Sequence, residues 1–188
     1  MLRNYSKYFQ KQKEFKICAR DLLDAPADAI VNPANSGLSH GGGVAAIISA
    51  AAGPGLDEEC SRIIEKVGLI PMTFAVPTKS YNLPYKGIIH AVGPRMGDGD
   101  ELNKTEKTIH NALIIAERRG WKTIAFPALG TGLFLIPYRI CIEAFDKTVS
   151  TYWKENPDSS INLIMLCLTH DVYPKVEKIL EELSFKVS

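Results

Sequence analysis

The chain has no C-x-x-C pair, no apolar run long enough to cross a bilayer and no surplus of charge of either sign. Each absence removes a class of function. The 22 basic residues against 21 acidic ones give a formal net charge of +1, so bulk attraction to nucleic acid or anionic lipid is not built in. Two local basic groups, Arg118-Arg119 and Lys7, Lys11 and Lys13, read as solvated surface rather than a nucleic-acid groove. Met1 to Lys16 lacks the apolar core of a signal peptide. The four cysteines, Cys18, Cys60, Cys141 and Cys167, stand far apart in sequence. Without a secretory signal they read as reduced, mostly buried thiols, and an intracellular protein is expected.

The commoner catalytic and nucleotide motifs are missing too. Without G-x-x-x-x-G-K-[ST] there is no P-loop phosphohydrolase, and without G-x-G-x-x-G no ordinary dinucleotide fold. There is no H-E-x-x-H, and His40, His90, His110 and His170 are not spaced as metal ligands along the chain. The simpler expectation is a site that uses no metal and no cofactor.

What is present is an alternation of strand-like and helix-like segments. Apolar, β-branched runs at Phe15–Ala19, Ala29–Asn32, Phe74–Pro77, Gly87–Val92, Thr123–Pro127 and Ile161–Leu168 have strand length. Helical stripes separate them: Leu56, Cys60, Ile63, Ile64 and Val67; Leu102, Ile109, Leu113 and Ala116, closing at Gly120; Cys141, Phe145, Val149 and Tyr152; Val176, Ile179, Leu180 and Leu183. Several strands are apolar almost throughout, which requires a sheet covered on both faces. The expected fold is α/β: a three-layer α/β/α sandwich around a central mixed sheet. Residues 14–188 form one domain in this reading, and residues 1–13, polar and aromatic by turns, an N-terminal extension.

Two glycine-rich turns follow strands directly. Asn32-Pro33-Ala34-Asn35 runs through Ser36 to His40 into Gly41-Gly42-Gly43-Val44, which opens an alanine-rich helix. Phe126-Pro127-Ala128-Leu129 runs into Gly130-Thr131-Gly132-Leu133-Phe134. Glycine allows close backbone approach to a ligand, and a helix start offers free N–H groups to an anion. Each loop alone is weak evidence against a simple turn, although three successive glycines before a helix favour a ligand. Two at strand ends suggest two walls of one crevice for a phosphate-bearing ligand. Asn35 suits a sugar hydroxyl pair, whereas Asn32 reads as structural. Asp21 suits an exocyclic amine or, equally, a turn cap. His170 stands where it would stack on a base or lie on the surface.

Taken in order, Asp21-Leu22, Asn32-Pro33-Ala34-Asn35, His40-Gly41-Gly42-Gly43-Val44-Ala45, Ile88-Ile89-His90-Ala91-Val92-Gly93-Pro94 and Phe126 to Phe134 strongly resemble the macro domain. The resemblance runs from about Phe15 to Leu183. It implies an ADP-ribose cleft in which Asp21 takes the adenine amine and the Leu22 N–H contacts the ring. Asn35 would hold the distal ribose, with Phe134 bordering it. Gly42, Gly43 and Val44 on one side, and Gly130, Thr131, Gly132 and Leu133 on the other, would wrap the diphosphate. His170 replaces the aromatic that usually stacks on adenine.

The family contains binders of ADP-ribosyl marks and hydrolases that remove them. One hydrolase branch carries an aspartate in a G-G-G-V-D-G pattern, whereas this chain reads Gly43-Val44-Ala45-Ala46. Other members with H-G-G-G-V-A are hydrolases in which a substrate phosphate helps activate water. By that resemblance the expected function is hydrolysis of the mono-ADP-ribosyl–protein ester bond. Asn35 and Phe134 would act at the distal ribose, and His40 would relay protons or pack against the loop. A non-catalytic reader and an ADP-ribose 1″-phosphate phosphatase are the alternatives. The expected partners are ADP-ribose or ADP-ribosylated protein, without nucleic acid or membrane, and the expected state is a monomer.

Overall fold

The computed structural model describes residues 4–187. Eight strands form one sheet: β1 (Tyr5–Phe9), β2 (Lys13–Ala19), β3 (Ala29–Ala34), β4 (Ala75–Thr78), β5 (Gly87–Val92), β6 (Thr123–Pro127), β7 (Leu163–Leu168) and β8 (Lys186–Val187). Their order is β4-β5-β3-β6-β7-β2-β1-β8. The inner strands from β5 to β2 are parallel, and β4, β1 and β8 add antiparallel pairs at the edges. The sheet is therefore mixed, as the sequence predicts.

Among the described residues five α-helices cover it: α1 (Gly43–Ala52), α2 (Pro54–Val67), α3 (Glu101–Arg118), α4 (Tyr138–Glu155) and α5 (Tyr173–Glu182). Side chains alternate across each strand, so the parallel core sorts into two clusters. Ile30, Ile88 and Ala125 pack with Ile48, Leu56 and Cys60 of α1 and α2. Their sequence neighbours Val31, Ile89 and Ile124 pack on the other face with Ile109, Phe145 and Val176 of α3, α4 and α5. All six residues of β5 are buried, the signature of a strand covered on both sides. All four cysteines are buried and free. None of the helices among the described residues is long and apolar enough to cross a membrane.

The N-terminal segment corrects one expectation. Residues 5–9 are not an extension but a strand inside the sheet, paired with both β2 and β8. Tyr5 and Ser6 are fully buried, with Ser6 Oγ donating to Glu14 Oε1 at 2.7 Å. Lys7 pairs with Asp146 at 2.6 Å and lies over the Phe185 ring. Lys13 is also buried, its ammonium capped by the carbonyls of Asn156 and Pro157 at 3.2 and 2.9 Å. Polar residues enter this part of the sheet because groups distant in sequence satisfy them. Residues 1–3 of the expected extension lie outside the described residues.

The topology also places the crevice. From β3 the chain passes through α1 and α2 to β4 and β5 on one side, then crosses through α3 to β6 on the other. The strand order reverses at β3, and the carboxyl ends of β3, β6 and β7 lie beneath the resulting gap, where ligands bind in open α/β sheets.

Candidate functional site

A cleft of about 330 Å³ opens at this point. One wall is built by the segment after β3, with Asn35, Ser39, Gly42 and Val44. The opposite wall is the loop after β6, with Gly130, Thr131, Gly132, Leu133 and Phe134. The floor and far end come from Cys167 and Leu168 at the end of β7, with Thr169 and Val172 beyond it. Both glycine loops of the sequence thus face one another across a single cavity.

Each loop is held for a physical reason. Helix α1 begins at Gly43 with no side-chain cap on its first turn, so its first N–H groups have no intrahelical acceptor, and Gly42, Val44 and Ala45 around this helix start line the cleft. Gly43 has φ +59°, a left-handed conformation that side chains rarely adopt. Gly42 is extended, and a Cβ there would stand 3.4 Å from Leu133 Cδ1, which marks where the two walls approach. In the second loop Gly130 has φ +75°, and a Cβ would meet Ile136 Cγ1 at 2.7 Å. The turn is tied by Thr131 Oγ1 donating to Ala128 O at 2.9 Å and by Ile136 N donating to Gly130 O at 2.9 Å. Phe134 is braced from behind by the Arg95 guanidinium, 5.0 Å from the ring centre.

Asn35 lines the cleft and is also bonded within its own loop. Its Nδ2 donates to Ser39 O and Oγ at 2.9 and 3.0 Å, and its Oδ1 accepts from Ser39 N at 3.1 Å. Asn32 points the other way, fully buried, with Nδ2 3.0 Å from His90 Nδ1.

Five residues singled out in the sequence do not line the cavity: Asp21, Leu22, His40, Gly43 and His170. Asp21 is exposed and its Oδ1 accepts from Leu23 N at 2.9 Å, capping a short turn. Its neighbour Arg20 donates its N–H to the carbonyl of the cleft-floor residue Leu168 at 2.9 Å. Leu22 is buried in the core. Gly43 sits on the exposed outer side of its loop, and His170 is exposed while its neighbours Thr169 and Val172 form the wall. His40 turns inward beneath the glycine loop, its side chain only 5% exposed.

Ser39, Tyr138, Thr169 and Val172 are wall residues that the motifs did not flag. For Thr169 and Val172 the signal lies in topology rather than composition: once β7 is placed beside β6, its carboxyl end must border the same gap.

Behind the first wall is a second polar cluster. His40 Nδ1 donates to Asp57 Oδ1 at 2.6 Å, and Ser49 Oγ donates to the same oxygen at 2.9 Å. His90 Nε2 lies 2.9 Å from Thr78 Oγ1 and 3.8 Å from Cys60 Sγ. Burial, aided by the nearby His40, pushes His90 down to about 3, so its ring is neutral. Burial, with Asp57 and Glu59 alongside, pushes the Cys60 thiol up to about 12.

A three-layer sandwich with an anion-ready cleft at its switch point defines a phosphate-ligand α/β domain, and comparison gives that class its family. The family model described as Macro domain matches residues 31–145. The chain belongs to the macro-domain family. It is 40% identical to a Listeria monocytogenes protein called macro domain-containing protein lmo2759, over 80% of this chain and 87% of the relative. It is 40% identical to an Escherichia fergusonii protein named O-acetyl-ADP-ribose deacetylase, over 70% of this chain and 76% of the relative. A Thermotoga maritima relative, 36% identical over 92% of this chain, is much longer, and the match spans 28% of it. Among solved structures, the Oceanobacillus iheyensis macrodomain with ADP superposes with a TM-score of 0.84 at 25% identity, covering 97% of each chain. The Trypanosoma brucei macrodomain in complex with ADP-ribose gives 0.77 at 26% identity, covering 88% of this chain and 68% of that one.

Proposed function

We propose that this macro domain binds ADP-ribose and ADP-ribosylated protein in the cleft and hydrolyses the mono-ADP-ribosyl–protein ester bond. The observation that carries the reading is the convergence of the uncapped start of α1 and the Gly130–Phe134 loop on one cavity that also holds Asn35. Backbone N–H groups of the two loops cradle the diphosphate without any charged side chain in the wall. The apolar end formed by Leu168 and Val172 takes the adenine, with Asp21 accepting from its amine. Asn35 and Phe134 fix the distal ribose.

Chemistry then follows from positioning. A water held between the ribose and the diphosphate attacks the anomeric carbon, and the carboxylate of the modified side chain leaves with the bonding electron pair. The diphosphate oxygen receives the water proton. His40 contributes by packing under the loop, since it does not line the cavity and its Nδ1 is held by Asp57.

A second reading rests on the E. fergusonii relative and its name. O-acetyl-ADP-ribose presents an ester on the same distal ribose, and the same cleft would hold it with water directed at the acyl carbon.

The deciding experiment is a time course with protein mono-ADP-ribosylated on acidic residues, run for the wild type and Asn35→Ala, with acetate release from O-acetyl-ADP-ribose in parallel. ADP-ribose release by the wild type and its loss in the variant support the hydrolase. Acetate release alone assigns the deacetylase. Capture without release makes the domain a reader, and neither capture nor release overturns ADP-ribose recognition.

A further inference from the structure

We infer that His40, Cys60 and His90 form a binding site for a borderline-soft divalent cation of the Zn²⁺ type, a structural clasp beneath the glycine loop. The three side chains come from the loop before α1, from α2 and from β5, yet one donor atom from each lies within 4.8 Å of the others. Two imidazoles and a thiolate are the ligand types such a cation takes.

His40 supplies the independent observation. Asp57 holds its Nδ1–H, which leaves the Nε2 lone pair pointing into the interior, where it has no partner among the described residues. A side chain only 5% exposed does not ordinarily leave a strong acceptor unused. A carboxylate on the far nitrogen of a buried imidazole is the arrangement that orients a metal-binding histidine.

His90 is partnered at both ring nitrogens, by Asn32 and Thr78, and becomes a ligand by a change of tautomer. Its neighbour Asn32 has a buried Oδ1 with no partner among the described residues, while its Nδ2 faces His90 Nδ1. Turning that amide over puts Oδ1 against Nδ1–H and makes Nε2, 3.8 Å from Cys60 Sγ, an acceptor within reach of the Thr78 hydroxyl. The rotation pairs the orphaned oxygen and exposes a ligand nitrogen, while the amide NH₂ takes the unpartnered place that Oδ1 held. Thr78 Oγ1, 2.9 Å from that nitrogen, stands as the nearest neutral fourth donor. Charge balances as well: the thiol releases one proton on binding, and the thiolate with the Asp57 carboxylate offsets the two positive charges.

The consequence for the cleft is mechanical. His40 sits between Ser39 and Gly41, so a cation on its ring pins the segment that forms one wall.

The test is titration of metal-stripped protein with Co²⁺, followed by Zn²⁺ competition. The expected result is one tight site, a near-ultraviolet thiolate-to-cobalt band and the intense visible bands of tetrahedral Co²⁺, all displaced by Zn²⁺. Cys60→Ser should abolish the thiolate band while Cys18→Ser and Cys141→Ser keep it. His40→Gln should weaken binding by at least tenfold, and Asp57→Asn by about tenfold or more. The His40 and Asp57 variants decide the matter should Cys60→Ser fail to fold. Absence of the band in the wild type, its persistence in Cys60→Ser, or unchanged affinity in His40→Gln overturns the site.

Discussion

Asn35 and Ser39 hold one another through three short bonds: Nδ2 to the Ser39 carbonyl and hydroxyl, and the Ser39 N–H to Oδ1. The residue proposed to touch the distal ribose therefore also ties the first glycine loop together, and its two roles can be separated. Asn35→Ala removes both. ADP-ribose affinity should fall tenfold or more, about 1.4 kcal/mol, with stability lower by roughly 1–2 kcal/mol. Ser39→Ala keeps the two backbone contacts and frees one amide proton, so affinity should change less than about threefold. Asn35→Asp keeps the acceptor but brings a negative charge toward the diphosphate, and should bind more weakly than the alanine variant. Calorimetric titration beside thermal melts reads both quantities. Equal affinity for wild type and Asn35→Asp would remove Asn35 from the ligand.

Gly130 is the position in the second wall where size and backbone conformation coincide. With φ +75° and Ile136 Cγ1 only 2.7 Å from where a methyl would stand, Gly130→Ala meets strain and overlap together. The loss of stability should be about 2–4 kcal/mol. Gly41→Ala, whose added methyl meets nothing within 4 Å, should cost less than about 0.5 kcal/mol. Urea unfolding of the pair checks the contrast directly.

What the sequence made legible follows from where each signal lives. Strands β5 and β6 match their predicted bounds because buried parallel strands are continuous apolar runs, and flanking charges and turns end them. Strand β1 escaped detection because Ser6 and Lys7 look like surface until Glu14 and Asp146 are seen to satisfy them. The two glycine loops identified both walls, but the β7 end of the cleft is set by strand order, which no local pattern encodes. The same holds for His40, Cys60 and His90. Their spacing along the chain resembles no metal motif, and only the fold brings the loop before α1, α2 and β5 together at this point.

Arg95 and Phe134 make a second pair with a measurable consequence. The guanidinium braces the ring at 5.0 Å, and Met96 N donates to Phe134 O at 2.8 Å, so this loop is anchored from the segment after β5. Arg95→Ala removes an exposed cation–π contact of about 0.5–1 kcal/mol and loosens the ring. Turnover should fall about threefold to fivefold with little change in melting temperature. Phe134→Ala should lower turnover further, and adding Arg95→Ala to it should have little extra effect, since the brace then has nothing to hold. Additive losses in that double-mutant cycle would show that Arg95 acts independently of the ring.

Asp28, at the opposite end of β3 from the cleft, should contribute to acid sensitivity. Its carboxylate accepts from Lys122 N at 2.7 Å and Thr123 N at 3.3 Å and pairs with Lys86 at 2.7 Å, joining the β5, β3 and β6 ends of the sheet. Partial burial works against ionisation, but the Lys86 bond and the two backbone bonds outweigh it and hold the carboxyl below its ordinary value. A group whose folded pKa is depressed stabilises the fold above its unfolded value and loses that contribution as pH falls through the folded one. Stability should therefore be steady above about pH 5 and drop as the solution is taken below about pH 4. Asp28→Asn should be less stable than wild type at neutral pH, because the Lys86 ion pair is gone. It should also show a shallower acid decline, so that the two unfolding curves converge at low pH. Parallel curves for the two proteins across that range would show that Asp28 does not contribute, leaving groups such as Glu117, also held below its ordinary value, despite burial, by its bonds to Ser159, Ser160 and Tyr152.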